Sequence, residues 1–194
     1  MEKFPPEPLT RPECKRIFKA CGTKSRRSKR SRTIVILLWR TGIRVSELCS
    51  LNCRDVYLLD GGCSLIRIRK PKNYQRGVSP REVGLDPMST AVIKEWMGEC
   101  GTGDDPLLTT SRGLRILPSY VRQLLPVLAR KAKVNRRVHP HAFRHTFARE
   151  MYNEGVGVME LMLALGHQSL STTQTYLQSI GGTQVVNTTT KRKW

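Results

Sequence analysis

Apolar residues recur every three to four positions over much of the chain, and glycine or proline bounds most of these stretches. This period predicts amphipathic helices, because positions three and four apart lie on one face of a helix. We expect helices at residues 13–21, 33–40, 43–51, 87–100, 119–132, 142–154, 158–165 and 171–176. Pro126 should bend or break the fifth of them, since proline removes a hydrogen bond inside a helix.

A different pattern, in which apolar and polar residues alternate, lies between these helices. Residues 56–59 and 64–69 flank Asp60-Gly61-Gly62, a typical hairpin turn in which glycine supplies the positive φ. Residues 81–85 are a candidate third strand, after a long loop at residues 70–80. We therefore predict an α+β fold, a mostly helical domain with a small three-stranded antiparallel sheet and lysines at its tip.

The charge of the chain points to a polyanionic partner. Lysine and arginine total 34 against 15 aspartate and glutamate, a formal net charge of +19 with a pI near 10.4. Nucleic acid is the first expectation for such a balance, and no small-molecule substrate is expected. The candidate DNA contacts lie in a basic run at residues 24–32 and on the predicted hairpin: Lys24, Arg26, Arg27, Lys29, Arg30, Arg67, Arg69 and Lys70.

The basic run itself allows other interpretations. It is also typical of a solvated loop or helix face, and in a nuclear protein it could be a localisation signal. Because it leads directly into the buried-looking helix at residues 33–40, we expect an ordered surface that holds its charges where phosphates can reach them.

The six cysteines include no C-x-x-C pair and no zinc-ribbon spacing, so we expect reduced thiols in a cytoplasmic protein. The most apolar run, residues 34–39, is far shorter than the ~18 to 20 residues that span a bilayer. We expect no contact with membranes.

Two stretches carry candidate chemistry. His141, Arg144 and His145 lie at helical spacing, and each alone is typical of a packed histidine or a surface arginine. The i, i+4 histidines also fit a zinc-binding helix, but Ala142 stands where a metalloprotease needs its glutamate, so we expect no metal. Arg44 begins a predicted helix at its positive end, where an anion or a structural ion pair with Glu47 should compensate it.

Three segments, TGIRVSEL, HAFRHTFA and LGHQSLSTTQTYLQ, resemble the motif blocks of the tyrosine recombinase (phage integrase) family, in the family's order and at about its spacing. The resemblance covers roughly residues 17–180, the family's catalytic domain. It implies that the catalytic residues are Arg44, His141, Arg144, His167 and Tyr176. Glu47 matches an acidic position that supports the first arginine. His145 matches a histidine that is not the principal catalytic one, and we place it among the supporting residues.

The resemblance also implies a lysine on the hairpin that acts as general acid. The sequence departs there from the family's compact Gly-Lys-Gly turn, having RKPKNYQRGVSPR instead. Lys72 is our choice for this role, with Lys70 second.

The implied reaction is a strand exchange. Tyr176 attacks a DNA phosphate to form a 3′-phosphotyrosyl link, a 5′ hydroxyl leaves, and a partner strand's hydroxyl then rejoins the DNA by way of a Holliday junction. No ATP, metal or cofactor is needed. The implied partner is a double-stranded recombination site, bound by a homotetramer of a chain that is monomeric when free, in a prokaryotic nucleoid or encoded by a phage, plasmid or other mobile genetic element.

Two further interpretations stay open at the level of sequence. One is a type IB topoisomerase-like enzyme that nicks and reseals one duplex; the other is a DNA-binding module that has lost turnover. The expected organisation is a linker stub or disordered tail at residues 1–12, which hold four prolines, a catalytic domain at 13–180 and a tail at 181–194 that neighbouring protomers exchange. Because the family places a core-binding domain before the catalytic one, the chain would be either an excised fragment or a naturally short protein.

Overall fold

The computed structural model describes residues 8–69 and 80–166. Within these ranges the chain forms seven α-helices: α1 (Arg11–Ala20), α2 (Arg26–Thr41), α3 (Val45–Ser50), α4 (Pro87–Met97), α5 (Pro118–Lys131), α6 (Pro140–Asn153) and α7 (Val158–Leu165). The strands are β1 (Val56–Leu58), β2 (Ser64–Ile68) and β3 (Arg81–Leu85). The predicted α+β class, mostly helical with one small sheet, is confirmed.

The sheet is antiparallel throughout, in the order β1-β2-β3. Val56 pairs with Ile66, and Ile66 pairs with Val83, so one face of the sheet carries the apolar side chains into the core. The predicted alternation in β2 is confirmed, because Ile66 and Ile68 are buried and Arg67 is exposed.

Helix α2 is the centre of the domain, with α4 and α6 packed against it. Its C-terminal half is apolar on every side, from Ile34 to Trp39, and all of these side chains are buried. A helix that is hydrophobic all round must be covered all round, which explains why so many elements surround it. Gly42 ends α2 in the left-handed conformation, at φ 58°.

The ordered domain begins earlier than predicted. Thr10 caps α1 in a reciprocal capping box with Glu13, and the predicted boundary at residue 12 falls inside this helix. Leu9 is buried, and its backbone N–H donates to Thr146 Oγ1 at 2.8 Å. The proline-rich composition hid the start of this helix, although proline is well tolerated in the first turn.

Two helix predictions need correction. Helix α5 continues through Pro126 without a break. Pro126 lies on the exposed side of α5, where water can satisfy the carbonyl that loses its partner. Helix α4 ends at Met97, three residues before the predicted end at Cys100.

Other elements match their predictions closely. Helix α7 covers the predicted residues 158–165, and β3 covers the predicted residues 81–85. The helix expected at residues 171–176 and the lysine-bearing hairpin tip lie outside the described residues. No helix within the described ranges is long and apolar enough to span a bilayer.

Candidate active site

Arg44 stands at the N-terminus of α3, and Glu47 in the first turn of the same helix binds it twice. The Glu47 carboxylate accepts from the Arg44 backbone N–H at 2.8 Å and from its Nη1 at 3.1 Å. The predicted compensation of a cation at the positive end of a helix is therefore confirmed. The Arg44 side chain remains 26% exposed and can still reach a ligand.

A second arginine holds the other side of that carboxylate. Arg81, at the start of β3, donates from Nη1 and Nη2 to the two oxygens of Glu47, at 3.0 and 2.8 Å. Both side chains are almost fully buried. Burial alone raises the pKa of Glu47, but the hydrogen bonds and charge of Arg81, together with those of Arg44, hold this pKa below its ordinary value.

The C-terminal end of α7 is the meeting point of three arginines. Three consecutive backbone carbonyls there each accept from a different guanidinium. The pairs are Arg81 Nε with Ala164 (2.8 Å), Arg144 Nη2 with Leu165 (2.6 Å) and Arg44 Nη2 with Gly166 (3.2 Å). Cations at this end complement the negative end of the helix dipole and satisfy carbonyls that lack intrahelical partners.

Arg144 is placed by α6 and is buried, with 2% of its surface exposed. Its Nη1 donates to the carbonyl of Gly42 at 2.7 Å, so this arginine ties the end of α2 to the end of α7. The structure thus brings Arg44 and Arg144 to neighbouring peptide groups, although they are a hundred positions apart in the chain.

His141 lies in the first turn of α6 and opens into a cavity of about 570 Å³. Arg122, Arg137 and His139 also line this cavity. Burial, followed by the charges of Arg144, Arg44 and Arg122, lowers the pKa of His141. Val45, which directly follows Arg44, lines the same cavity, so His141 lies near the start of α3.

The other histidines of this region are also held neutral. Burial, and then the neighbouring His141, His139 and Arg144, lower the pKa of His145 to about 4. Burial, His141 and Arg137 lower the pKa of His139. Neutral imidazoles can each donate only one N–H, so the positive charge near α6 comes from its arginines.

Sequence reasoning missed Arg81 as a site residue, although a signal was present. Arg81, Val83 and Leu85 alternate along β3, and Val83 and Leu85 are buried. An arginine in phase with the buried residues of a strand points into the protein, where it needs an acidic partner. Arg122 and His139, which line the cavity beside His141, were also missed.

The basic run is mostly helical and partly turned inward, which corrects the expectation of a charged outer surface. Arg30 is buried and donates to the carbonyl of Thr109 and to the Tyr120 hydroxyl. Arg26 donates to the carbonyls of Glu99 and Thr110 and lies over the Trp96 ring.

Lys29 is engaged within the protein as well, through an ion pair with Glu99 at 2.8 Å. Lys24 and Arg27 remain exposed and available to an anionic partner. The difference arises because the faces of α2 that carry Arg26, Lys29 and Arg30 pack against the segments around residues 99–110 and α5.

Arg67 and Arg69 lie on the exposed side of the sheet, as the alternation predicts. Arg67 pairs with Glu82 at 2.7 Å and stacks on the Tyr57 ring, and Arg69 pairs with Asp55. Both side chains are more than two fifths exposed, so they can exchange these partners for phosphates.

Four predicted site residues, Lys70, Lys72, His167 and Tyr176, lie outside the described residues. His167 directly follows Gly166, whose carbonyl Arg44 binds. Within residues 8–69 and 80–166, no group of three or more histidine, cysteine or acidic side chains is arranged to hold a metal ion.

Comparisons with known proteins agree on one family. The profile of the phage integrase family matches residues 7–180. The chain is 34% identical over 152 residues to a tyrosine recombinase XerC from Thermodesulfovibrio yellowstonii, covering 76% of this chain and 50% of the relative. It is 36% identical over 174 residues to a tyrosine recombinase XerA from Thermococcus kodakarensis, covering 88% of this chain and 57% of the relative.

The fold is similar to that of solved recombinases. A crystal structure of XerA recombinase matches with a TM-score of 0.81 and 28% identity, covering 97% of this chain and 66% of the other. A XerH site-specific recombinase bound to palindromic difH substrate matches in fold with a TM-score of 0.78 at 23% identity, covering 96% of this chain and 53% of the other. The chain spans about half the length of the curated relatives.

Proposed function

The chain belongs to the phage integrase family, and from this premise we propose that it is the catalytic domain of a tyrosine-type site-specific DNA recombinase. The observation that carries the proposal is the convergence of Arg44 and Arg144 on the last carbonyls of α7, directly before His167, with His141 in the cavity beside the start of α3. Guanidinium groups grip phosphate oxygens in fork geometry, and imidazole adds a further donor. The names of the relatives favour recombination over simple nicking and resealing.

The proposed chemistry is an in-line displacement at a DNA phosphate. The phenol of Tyr176 releases its proton to water and its oxygen attacks phosphorus, a phosphotyrosyl bond forms at the 3′ end, and the bond from phosphorus to the 5′ oxygen breaks. Lys72, or Lys70 as second choice, gives a proton to that leaving oxygen. Because the new bond keeps the energy of the phosphodiester, a partner strand's 5′ hydroxyl can reverse the step without ATP.

The negative charge on the non-bridging phosphate oxygens in the transition state is stabilised by preorganised donors. Loss of one preorganised donor of this kind typically costs on the order of 3 to 4 kcal/mol of transition-state stabilisation. Arg144 is held at both ends of its guanidinium by buried carbonyls, so its geometry is set before DNA arrives. We propose that Arg44 and His167 act beside it, and that Glu47 and His145 support these groups.

The DNA backbone follows a basic groove that leaves the site along α5. The cavity beside His141 adjoins a second one of about 680 Å³, and both are lined by Arg137. Arg130 and Lys133 continue the second cavity. Side chains of one sign along a concave path suit a polyanion, and phosphate contacts of this kind make binding strongly dependent on salt.

The assembly is proposed by analogy with the family. The chain would act as a homotetramer on a double-stranded recombination site, with residues 181–194 exchanged between protomers, and would be monomeric when free. A cytoplasmic location, with the DNA of a prokaryotic host, phage or plasmid as substrate, follows from the same proposal.

The proposal can be tested without knowledge of the recombination site. The chain is incubated at low salt with a library of duplexes of randomised sequence, each nicked so that a short fragment with a free 5′ hydroxyl can diffuse away after cleavage. Covalent protein–DNA adducts are isolated on denaturing gels, and their DNA is sequenced. We expect an adduct with one enriched sequence, linked at Tyr176 by peptide mapping.

Two tyrosine variants control this experiment. Tyr176→Phe should form no adduct, whereas Tyr152→Phe, which removes a hydroxyl from a partly buried tyrosine in the last turn of α6 and keeps its ring, should form it at the normal rate. An adduct that survives Tyr176→Phe, or no adduct with any sequence, would refute the assignment.

A further inference from the structure

The guanidinium of Arg81 is used on all three of its nitrogens. Nη1 and Nη2 hold the two oxygens of Glu47, and Nε holds the carbonyl of Ala164. One buried side chain on β3 therefore joins α3, which carries Arg44, to the last turn of α7, which leads to residue 167.

Arg81 approaches this turn so closely that Gly166 has no space for a side chain. A Cβ added at Gly166 would lie 2.8 Å from Arg81 Nη1 and 3.1 Å from its Cζ. The first of these distances is shorter than real Cβ contacts. Gly166 also adopts a φ of +65°, which side chains rarely tolerate. The turn therefore closes directly on the guanidinium, and Gly166 presents its carbonyl to Arg44 from that position.

We propose that Arg81 is a positioning residue for strand cleavage, which sets the Arg44 guanidinium through Glu47 and sets the α7 turn through Ala164. The inference rests on the proposed function, since cleavage is its readout, but it adds a residue that the motif blocks do not contain. Among the described residues, Arg81 donates to Glu47 and to the carbonyl of Ala164, neither of which is assigned to the reacting phosphate. It fixes Glu47, which binds Arg44, and the turn that leads to residue 167.

Lysine cannot take this role. Its ammonium group is a single point of donation, whereas Arg81 makes two parallel bonds to one carboxylate and a third bond to a carbonyl from a different nitrogen. Arg81→Lys therefore keeps the charge and removes the geometry. If Arg81 acted only by its charge, lysine would restore activity.

The test measures cleavage and DNA binding separately. Single-turnover cleavage of a nicked substrate taken from the adduct library gives a rate constant, and fluorescence anisotropy on the same duplex at fixed salt gives an affinity. We expect Arg81→Lys to cleave about 10- to 100-fold more slowly, since misplacement of a reacting group by ~1 Å can cost that much. Affinity should stay within about twofold, because the Arg81 side chain is buried and its three nitrogens donate to Glu47 and Ala164.

Arg115→Lys is the matched control. Arg115 also holds α3, through the carbonyls of Cys49 and Leu51 and through Asn52, but at the end of the helix remote from Arg44. It should lower the melting temperature without changing the cleavage rate constant. A normal rate in Arg81→Lys, an equal rate loss in Arg115→Lys, or an affinity loss that matches the rate loss would overturn the inference.

Hydrogen exchange provides an arm that does not depend on activity. In Arg81→Lys the amides of α7 should exchange at least tenfold faster than in Arg115→Lys, and unchanged exchange would overturn the inference even if no DNA is cleaved. Failure of the proposed function would instead appear as a wild-type chain that forms no adduct. If Arg81→Lys does not fold, Gly166→Ala is the second variant. It retains Arg81, but the added Cβ forces the guanidinium out of its position, and the same slow cleavage is expected.

Discussion

Replacement of Glu47 by glutamine tests the buried centre of the site through stability. The Glu47 carboxylate accepts two hydrogen bonds from Arg81 and two from Arg44, and it is 4% exposed. An amide keeps the size but offers one acceptor oxygen, and its NH2 group faces guanidinium N–H groups that are also donors. Glu47→Gln therefore leaves the buried Arg81 and the partly exposed Arg44 without their counter-charge.

The magnitude follows from the burial of the pair. Removal of one partner of a buried ion pair costs about 3 to 5 kcal/mol, and the remaining oxygen of glutamine favours the lower end. A loss of ~3 kcal/mol in a chain of 194 residues corresponds to a decrease in melting temperature of roughly 6 to 12 °C. Urea denaturation at pH 7, followed by circular dichroism, measures the free energy directly.

The same variant makes a prediction about pH. Because Arg81 and Arg44 hold the pKa of Glu47 below its ordinary value, the ionised carboxylate stabilises the folded state most above the unfolded pKa of about 4.3. This contribution is lost as the pH falls through the lower, folded-state pKa. The difference in free energy of unfolding between wild type and Glu47→Gln should be constant near neutral pH and should decrease below about pH 4.

Glu82→Gln is the matched control, since Glu82 pairs with Arg67 on the same sheet but both side chains are nearly half exposed. Exposed pairs contribute about 0 to 1 kcal/mol, so this variant should change stability little. The prediction would be refuted if the two variants lost equal free energy of unfolding, or if the loss in Glu47→Gln did not depend on pH.

The basic run and the hairpin lysine give two further predictions. Arg27→Ala should weaken DNA binding and reduce the slope of log affinity against log salt by about 1, measured by anisotropy across a salt series. Arg30→Ala should mainly reduce the free energy of unfolding, by roughly 2 kcal/mol in urea denaturation, because its hydrogen bonds to Thr109 and Tyr120 lie inside the protein. Equal salt slopes in the two variants would contradict this. Lys72→Ala should slow cleavage of an ordinary substrate yet spare one whose leaving group is a 5′ thiol, which needs no proton, and an equal loss on both would exclude the general-acid role.

The parts of the structure that depend on local signals could be predicted from the sequence. Helix α7 and its end at Gly166 follow from an apolar period bounded by glycines, and the pairing of Arg44 with Glu47 follows from their spacing on one turn. The third strand follows from alternation. Each of these signals operates over a few residues, so the surrounding fold is not needed to recognise it.

Contacts between distant segments could not be predicted in this way. The Arg81–Glu47 pair joins residues 34 positions apart, and Arg30 reaches residues 79 and 90 positions away. Both arginines were visible in the sequence, but charge alone does not distinguish a side chain that faces solvent from one that crosses the core. For Arg81 the alternation along β3 indicated that the side chain points inward. For Arg30 there was no such signal, because the apolar half of α2 begins one turn later, at Ile34.

The convergence of arginines at α7 explains how three cations can lie side by side at the proposed site. Repulsion between the guanidinium groups is offset by Glu47, which is shared by Arg44 and Arg81, and by the negative end of the α7 dipole. A guanidinium carries five N–H donors, and the contacts of Arg44 with Glu47 and Gly166 do not exhaust them. Under the proposed function, the same group can therefore hold the turn that ends at Gly166 and donate to a phosphate, so that DNA binding and the position of that turn are coupled.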